Sequence, residues 1–440
     1  MNELALFGGP PAVTPWREAQ SPLGEVAVGA LLQTVESARR DRACLSGLSG
    51  SGAIAALERD LASYIGTPYV VAVASGTSAL HAALLAVGVK PGDQVIVPAY
   101  TWSQTVAPVI HIGAVPHFVD IEPAEYGLDP LHVARAINSR TRAILVVHIY
   151  GNPADIVALR QLAEAHQIPL IEDCAQAMGA LVDGRPVGRH GDAACFSIGP
   201  GKPLTGGEGG FIVTKDRRLY ERCVELTQHP IRQRFDLWGG KHTDFGLGCR
   251  MHPLAAVIAR AELQSLDRRT ERRARFFEAL GRALQSVPGV HPRTEAGRRR
   301  PANYRYCPSF APEELDVPIS RQLFVEALRS EGVPIVEDPI ALPLHQRSFR
   351  PFVGPRGRRP RLPVTEARCQ YTGLAFAPDL TEIASDKTIG QIREAFQKVA
   401  CHAERVMASA QREAKRFPGT DLLGATSRIA VRPQTENSNG

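Results

Sequence analysis

The sequence predicts an α/β chain, with a mostly parallel central sheet in a large domain and a smaller C-terminal α+β domain. Three observations lead there. Between about residues 55 and 215, short apolar runs alternate with segments of helical periodicity. Those runs are apolar at consecutive positions, as in strands covered on both faces. Beyond residue 267 the alternation gives way to isolated helices and strands. At 440 residues the chain also exceeds one ordinary domain. The expected division is an N-terminal arm over 1–20, a large domain over 21–266, a small domain over 267–410 and a flexible polar tail over 411–440.

Each element has its own signal. Ile54, Leu57, Leu61 and Ile65 recur at helical spacing and stop at Gly66, so a helix ends there. Tyr69 to Ala74 is a strand, followed by Ser75-Gly76-Thr77 and a helix over Ser78 to Val87. Val95 to Pro98, Val115 to Ile121, Ala143 to Gly151, Ile168 to Asp173, Ala193 to Ser197 and Gly210 to Val213 read as further strands. Leu159 to His166 and Leu254 to Leu266 read as helices, the latter running on into a basic helix to Leu284. In the small unit a strand is expected over Tyr304 to Pro308, and helices over Ser320 to Glu331 and Asp386 to His402.

Composition narrows the class. Hydrophobic residues at 44% and charged residues at 22% fit a soluble globular protein. The net charge of +6 is concentrated in arginine runs at Arg268 to Arg275, Arg298 to Arg300 and Arg356 to Arg361. No aromatic residues interleave with them, so no nucleic-acid partner is expected. The eight cysteines form no CxxC pair, which argues against a zinc ribbon; no metal is expected, and reduced thiols fit a cytoplasmic location. The N-terminus lacks a basic region followed by a long apolar run, and no stretch is long enough to span a bilayer.

Three segments carry chemistry. In Ser75 to Ala86 a strand runs into Gly76 and Thr77 where a helix starts, and free N–H groups there attract anions. Alone, this is also an ordinary strand-to-helix cap. In Ile171 to Ala180, Asp173 ends an apolar strand, where a carboxylate needs a partner. A pyridinium nitrogen is one; a helix cap is the ordinary alternative. Gln176, three residues on, can reach a ring oxygen. In Cys195 to Val213, Lys202 lies in a glycine-rich loop between two short strands, with Ser197 before it. A lysine held out of water there is a candidate for Schiff-base formation. The segment fails the GxxxxGK[ST] test because Pro203 follows the lysine.

Together these segments resemble the DegT/DnrJ/EryC1/StrS family of sugar aminotransferases, within the fold-type I class of pyridoxal-phosphate (PLP) enzymes. The resemblance spans about residues 3 to 402 and includes LFGGPPAV, VIVPAYTW, EDCAQAMGA, VGRHGDAACFS, GEGGFIVT, RMHPLAA, PLH and PVTEA. It implies that Lys202 joins the cofactor and moves the proton, and that Asp173 pairs with the pyridine nitrogen. Gln176 would contact the ring oxygen. Gly76, Thr77 and Ser197 would hold the phosphate, and Trp102 would stack on the ring. Amino transfer would run from glutamate or glutamine to a keto-sugar, nucleotide-linked keto-sugar or keto-cyclitol, in a homodimer.

The chain departs from the family in places. Relatives carry an Asn in G-x-N-x-R that reaches a partner's phosphate; here Gly246 to Arg250 has Gly248 at that position and keeps Arg250. Arg232 or Arg234 would then be substitutes for the missing contact. Gly199-Pro200-Gly201 precedes the lysine where an aromatic or His is usual, and Gly373 to Pro378 replaces the usual Leu-Pro. His229, Arg232 and His345 are candidates for substrate contact, and Arg305 for an anion. A PLP-dependent lyase, dehydratase or aromatising enzyme is an alternative, as is an inactive PLP-fold partner subunit. Retention of Lys202, Asp173 and Gln176 weighs against inactivity.

Overall fold

The computed structural model describes residues 3–13, 23–236, 246–293, 297–340, 342–347, 360–376 and 385–416. Its centre is a seven-stranded sheet: β1 Tyr69–Val73, β2 Gln94–Pro98, β3 Val115–Val119, β4 Thr141–Val147, β5 Leu170–Asp173, β6 Ala193–Ser197 and β7 Gly210–Thr214. The order is β1-β7-β6-β5-β4-β2-β3. Pairs β2–β3, β2–β4, β4–β5 and β5–β6 are parallel, and only β7 runs against its neighbours β1 and β6. The ends of β1, β2, β4, β5 and β6 therefore open on one edge, where ligands of such sheets bind.

Alternate residues of these strands feed two separate cores. Ile144, Val146, Leu170, Ala194 and Phe196 pack under helices α2 Ala53–Ile65, α5 Ile156–Ala165 and α7 Pro253–Leu263. Val71, Val97, Leu145, Ile171 and Cys195 pack under α3 Gly76–Ala86, α4 Ser103–His111 and α6 Arg217–Thr227. Both faces being covered explains why the strands read as unbroken apolar runs. Helix α1, Glu25–Ala38, lies against α7 with most of its apolar side chains facing solvent.

A third core gathers α8 Leu266–Leu284, α9 Arg321–Ser330, α10 Asp386–Cys401 and α11 Ala403–Arg416 around an antiparallel pair of β8 Ile335–Glu337 and β9 Leu374–Phe376. The N-terminal segment joins this core. Leu4 and Val13 are buried in it, and buried Glu331 accepts the Ala5 and Ala12 N–H groups at 2.7 and 2.9 Å. Lys398 neutralises Glu331 at 2.9 Å.

Two expectations need correction. Tyr304 to Pro308 is not a strand, because its polar groups pair outside any ladder: Tyr304 N–H with the Tyr150 carbonyl, Tyr306 carbonyl with the Phe376 N–H. Residues 411–416 belong to α11 rather than to a polar tail, since Val406 and Ala410 bury one face of that helix. Residues 417–440 lie outside the described residues. Among the described residues no helix is long and apolar enough to cross a membrane.

Candidate active site

The phosphate-type cradle is built by close approach of three chain segments. Ser75 caps α3, its Oγ accepting the Ser78 N–H at 3.1 Å. The first intrahelical bond runs from Ala79 N–H to the Ser75 carbonyl, so the Gly76 and Thr77 amides precede the helical ladder. A methyl group at Gly76 would stand 2.9 Å from Ser197 Cβ, and one at Gly210 would stand 2.5 Å from the Gly76 nitrogen. These contacts need glycine and bring Ser197 directly beside the α3 N-terminus. Beyond β1, Val73 bridges to Arg250 and the Cys249 carbonyl accepts the Ala74 N–H at 2.9 Å. Arg250 is thereby carried to the same end of the sheet.

Asp173 ends β5 and is buried. Its Oδ2 accepts the Thr105 hydroxyl at 2.8 Å and its Oδ1 the Ala175 N–H at 3.0 Å. Thr105 in turn shares a 2.9 Å hydrogen bond with Thr101. Burial raises the pKa of Asp173 above the ordinary carboxylate value; Ala175, Thr105 and the Lys202 ammonium pull it back. The carboxylate thus lacks a full countercharge, and the field of Lys202 reaches it. A protonated ring nitrogen would supply that countercharge.

Lys202 is half-buried in the loop between β6 and β7, where Gly201 adopts φ +72°. Its Nζ lies 5.1 Å from the centroid of the Tyr304 ring. Trp102 caps the start of α4 next to buried Thr101 and remains 39% exposed at the open edge. Gln176 is buried, and its Oε1 accepts the Tyr150 N–H at 2.6 Å. Thr105, Tyr150 and Tyr304 were not singled out from the sequence. A signal for Thr105 existed, since Thr101 and Thr105 stand four apart at a helix start, but Tyr150 and Tyr304 join only through the fold.

The three residues expected to contact substrate each have partners within the chain. Arg232 is 2% exposed, with both Nη atoms 3.0 Å from the Glu58 carboxylate. Glu58 also accepts the Ala72 N–H, so this pair braces the β1 edge. His345 is buried, with Nε2 3.0 Å from Glu366. His229 is half-buried and turns Nδ1 to the Ile231 N–H at 3.2 Å, capping a short helix. For Arg234 the side chain lies outside what is described.

His148, Glu172 and Cys174 bring three ligand-type atoms within 4.8 Å of one another. Their bonding does not suit a cation. His148 Nδ1 accepts the Ala154 N–H at 3.1 Å, leaving the ring proton on Nε2, which faces Glu172 at 3.0 Å. Glu172 also accepts the N–H groups of Gly188, His190 and Gly191. Burial pushes the Cys174 thiol well above its ordinary pKa.

An anion cradle, a buried carboxylate and a lysine at one sheet edge fit PLP, and the comparisons agree. Residues 36–393 match the model of the DegT/DnrJ/EryC1/StrS aminotransferase family. L-glutamine:scyllo-inosose aminotransferase of Streptomyces griseus is 35% identical over 369 residues, 79% of this chain and 85% of that protein. The erythromycin biosynthesis sensory transduction protein EryC1 of Saccharopolyspora erythraea is 42% identical over 236 residues. That match covers 53% of this chain, and the chain spans 63% of that relative's length. The crystal structure of DesI in the presence of its TDP-sugar product superposes with a TM-score of 0.77 at 28% identity, covering 93% of this chain and 99% of that one. The chain belongs to the DegT/DnrJ/EryC1/StrS aminotransferase family and is a PLP-dependent aminotransferase of fold type I.

Proposed function

We propose that the protein moves an amino group from glutamine or glutamate to the ketone carbon of a keto-sugar, nucleotide-linked keto-sugar or keto-cyclitol. The observation that carries this reading is the convergence of Lys202 and under-compensated Asp173 at one end of the sheet. Support for the acceptor class comes from the relatives, which include a scyllo-inosose aminotransferase and a structure with a TDP-sugar product. When bound, PLP supplies an electron sink that stabilises negative charge at the carbon losing its proton.

The chain's own groups do the rest. Asp173 would hold the proton on the ring nitrogen, and Thr105 fixes the orientation of the carboxylate through Oδ2. The Gly76 and Thr77 amides with Ser197 would hold the phosphate, and Arg250 would add positive charge from the neighbouring loop. Gln176, anchored by its bond to Tyr150, would contact the ring oxygen. Trp102 would stack on the ring. Lys202 would hold the cofactor through Nζ and, when free, its amine would serve as the base that moves the proton at the substrate carbon. Two copies of the chain form the working unit, consistent with exposed Val26, Leu32 and Val35 on α1 and exposed Leu247 beside Arg250. Two domains meet near residue 266, since Leu266 packs with the sheet core and Phe276 with the third core.

The test loads the protein with PLP and adds L-glutamine. Loss of the visible band of the lysine-bound cofactor, and its return on adding a keto-cyclitol or keto-sugar, is expected. Failure of the band to return with every ketone of either class would remove the acceptor assignment. Lys202→Ala should abolish the band at the outset.

A further inference from the structure

We infer that Arg305 receives the carboxylate of the amino-acid donor, a role that rests on the aminotransfer reading above. Three arginines nearby in the sequence are already committed to carboxylates: Arg293 to Glu125 at 3.3 Å, Arg298 to Asp183 at 2.6 Å and Arg299 to Glu122 at 3.2 Å. Arg368, a buried guanidinium, is enclosed by Asp338, Tyr100, Tyr126 and main-chain carbonyls. Arg305 is half-buried and differs from all of them. Among the described residues no carboxylate partners it, and its Nε is out of water with no acceptor. A buried donor left unpaired is costly and is rare in folded proteins unless something else completes it.

Its position supplies the second half of the case. The Arg305 guanidinium carbon lies 5.8 Å from the centroid of the Tyr304 ring, and Lys202 Nζ lies 5.1 Å from the same centroid. The Tyr304 ring thus lies within cation–π reach of both the Lys202 ammonium and the unpaired Arg305 guanidinium. The placement is built into the backbone. The Tyr150 carbonyl accepts the N–H groups of both Tyr304 and Arg305, at 3.1 and 3.3 Å. The Tyr150 N–H goes to Gln176 at 2.6 Å. Tyr150 itself adopts φ +55°, a conformation that bulky residues rarely take. A single strained residue therefore fixes the Arg305 backbone relative to Gln176.

An α-amino acid must bring its amine to Lys202, and its α-carboxylate sits one carbon away. A guanidinium fork beside that point pairs with a carboxylate through two parallel N–H bonds, which orients the α-carbon as well as holding it. A neutral keto-cyclitol or free keto-sugar has no group that uses the fork, so with such an acceptor the effect of Arg305 falls chiefly on the donor half of the reaction.

Wild type, Arg305→Gln and Arg305→Lys are compared as holoenzymes, with the visible band reporting that each folds and loads cofactor. Glutarate, a dicarboxylate without an amine, is titrated calorimetrically; L-glutamine and its α-carboxamide are titrated against the band. Arg305→Gln should weaken glutarate and glutamine by about ten- to a hundredfold, the range of a lost charge-assisted pair. Arg305→Lys, which keeps the charge without the fork, should fall between. The α-carboxamide should act as poorly on wild type as on Arg305→Gln. Wild-type affinities for glutarate and glutamine in Arg305→Gln overturn the inference while aminotransfer stands. Glutarate binding that needs Arg305, in a wild type whose band no amino acid removes, leaves the carboxylate site standing and overturns the aminotransfer reading.

Discussion

Glu172 and Asp173 are consecutive on β5 and both lie out of water, yet they point to opposite faces of the sheet and live in opposite electrostatic worlds. On the face of α2, α5 and α7, Glu172 takes hydrogen bonds from His148 and three backbone N–H groups. Burial alone would raise its pKa, but His148 and the Gly191 N–H overcome burial and bring it to about 2. On the face of α3 and α4, Asp173 receives one hydroxyl and one N–H, and burial prevails. The first carboxylate is finished by the protein. The second is left short of a countercharge, which the proposed pyridinium nitrogen would supply. A perturbed acid marks a functional site only when its partners within the chain fall short, and this pair shows both outcomes at neighbouring positions.

The sharpest way to break the contrast is to neutralise each acid. Asp173→Asn should lower the amino-transfer rate about a thousandfold, the scale of a removed preorganised electrostatic contact. It should leave the cofactor-free protein at least as stable as before, because a poorly compensated buried charge is gone. Steady-state rates and thermal melts of the cofactor-free form check both halves. Glu172→Gln should do the reverse. The substitution turns one oxygen that accepts N–H groups into an amide nitrogen, and each buried donor left unsatisfied costs about 1–3 kcal/mol of stability, read by urea unfolding. The rate per cofactor-loaded molecule should stay near that of wild type. A Glu172→Gln protein of full stability would show that the two faces are not differently built.

Acid titration sharpens the same comparison with a smaller effect. The folded pKa of Glu172 is depressed from 4.5 to about 2. Its contribution to stability is therefore fully present above the unfolded value, and is lost as pH falls toward about 2. The pKa of Asp173 is raised, so its linkage has the opposite sign. The stability associated with its protonated form is present below the ordinary carboxylate range and lost as pH rises through the raised value. Unfolding free energies measured across the acid range should show a steep loss that Glu172→Gln lacks. Asp173→Asn should remove a shallower trend of opposite slope.

Much of the Asp173 side was legible in the sequence, and little of the wall facing it. Gly76, Asp173, Ser197 and Lys202 each lie at or just beyond a strand end in a segment whose apolar run and turn residues announce the geometry locally. Glu172 gave no such signal, because its partners at 148, 188, 190 and 191 converge only when β4, β5 and the loop before β6 are assembled. Tyr150, Tyr304 and Arg305 are harder still. They meet across some 150 positions of sequence through a left-handed tyrosine that no propensity foretells. Arg232, His229 and His345 show a related limit. Polar residue type is visible in a sequence, whereas a prior commitment to Glu58, a helix start or Glu366 is not.

The smallest effect is expected at Gly248, where the chain lacks the asparagine usual in its family. A Cβ built there meets only an Arg250 nitrogen at 3.5 Å, an ordinary contact, and the backbone is not in the left-handed region. Gly248→Asn is therefore accommodated without strain, beside a loop already joined to β1 through Val73 and Arg250. One added hydrogen bond to a charged phosphate is worth about 1.5 kcal/mol, so cofactor retention should tighten by about tenfold. Dialysis against cofactor-free buffer, followed through the visible band, measures it. Stability of the cofactor-free protein should not move, because the new amide has its partner only in the ligand. A gain in stability without cofactor would mean that the side chain turns back onto the protein. The loop would then resemble the completed Glu172 side rather than the Asp173 side, which is left short of a countercharge.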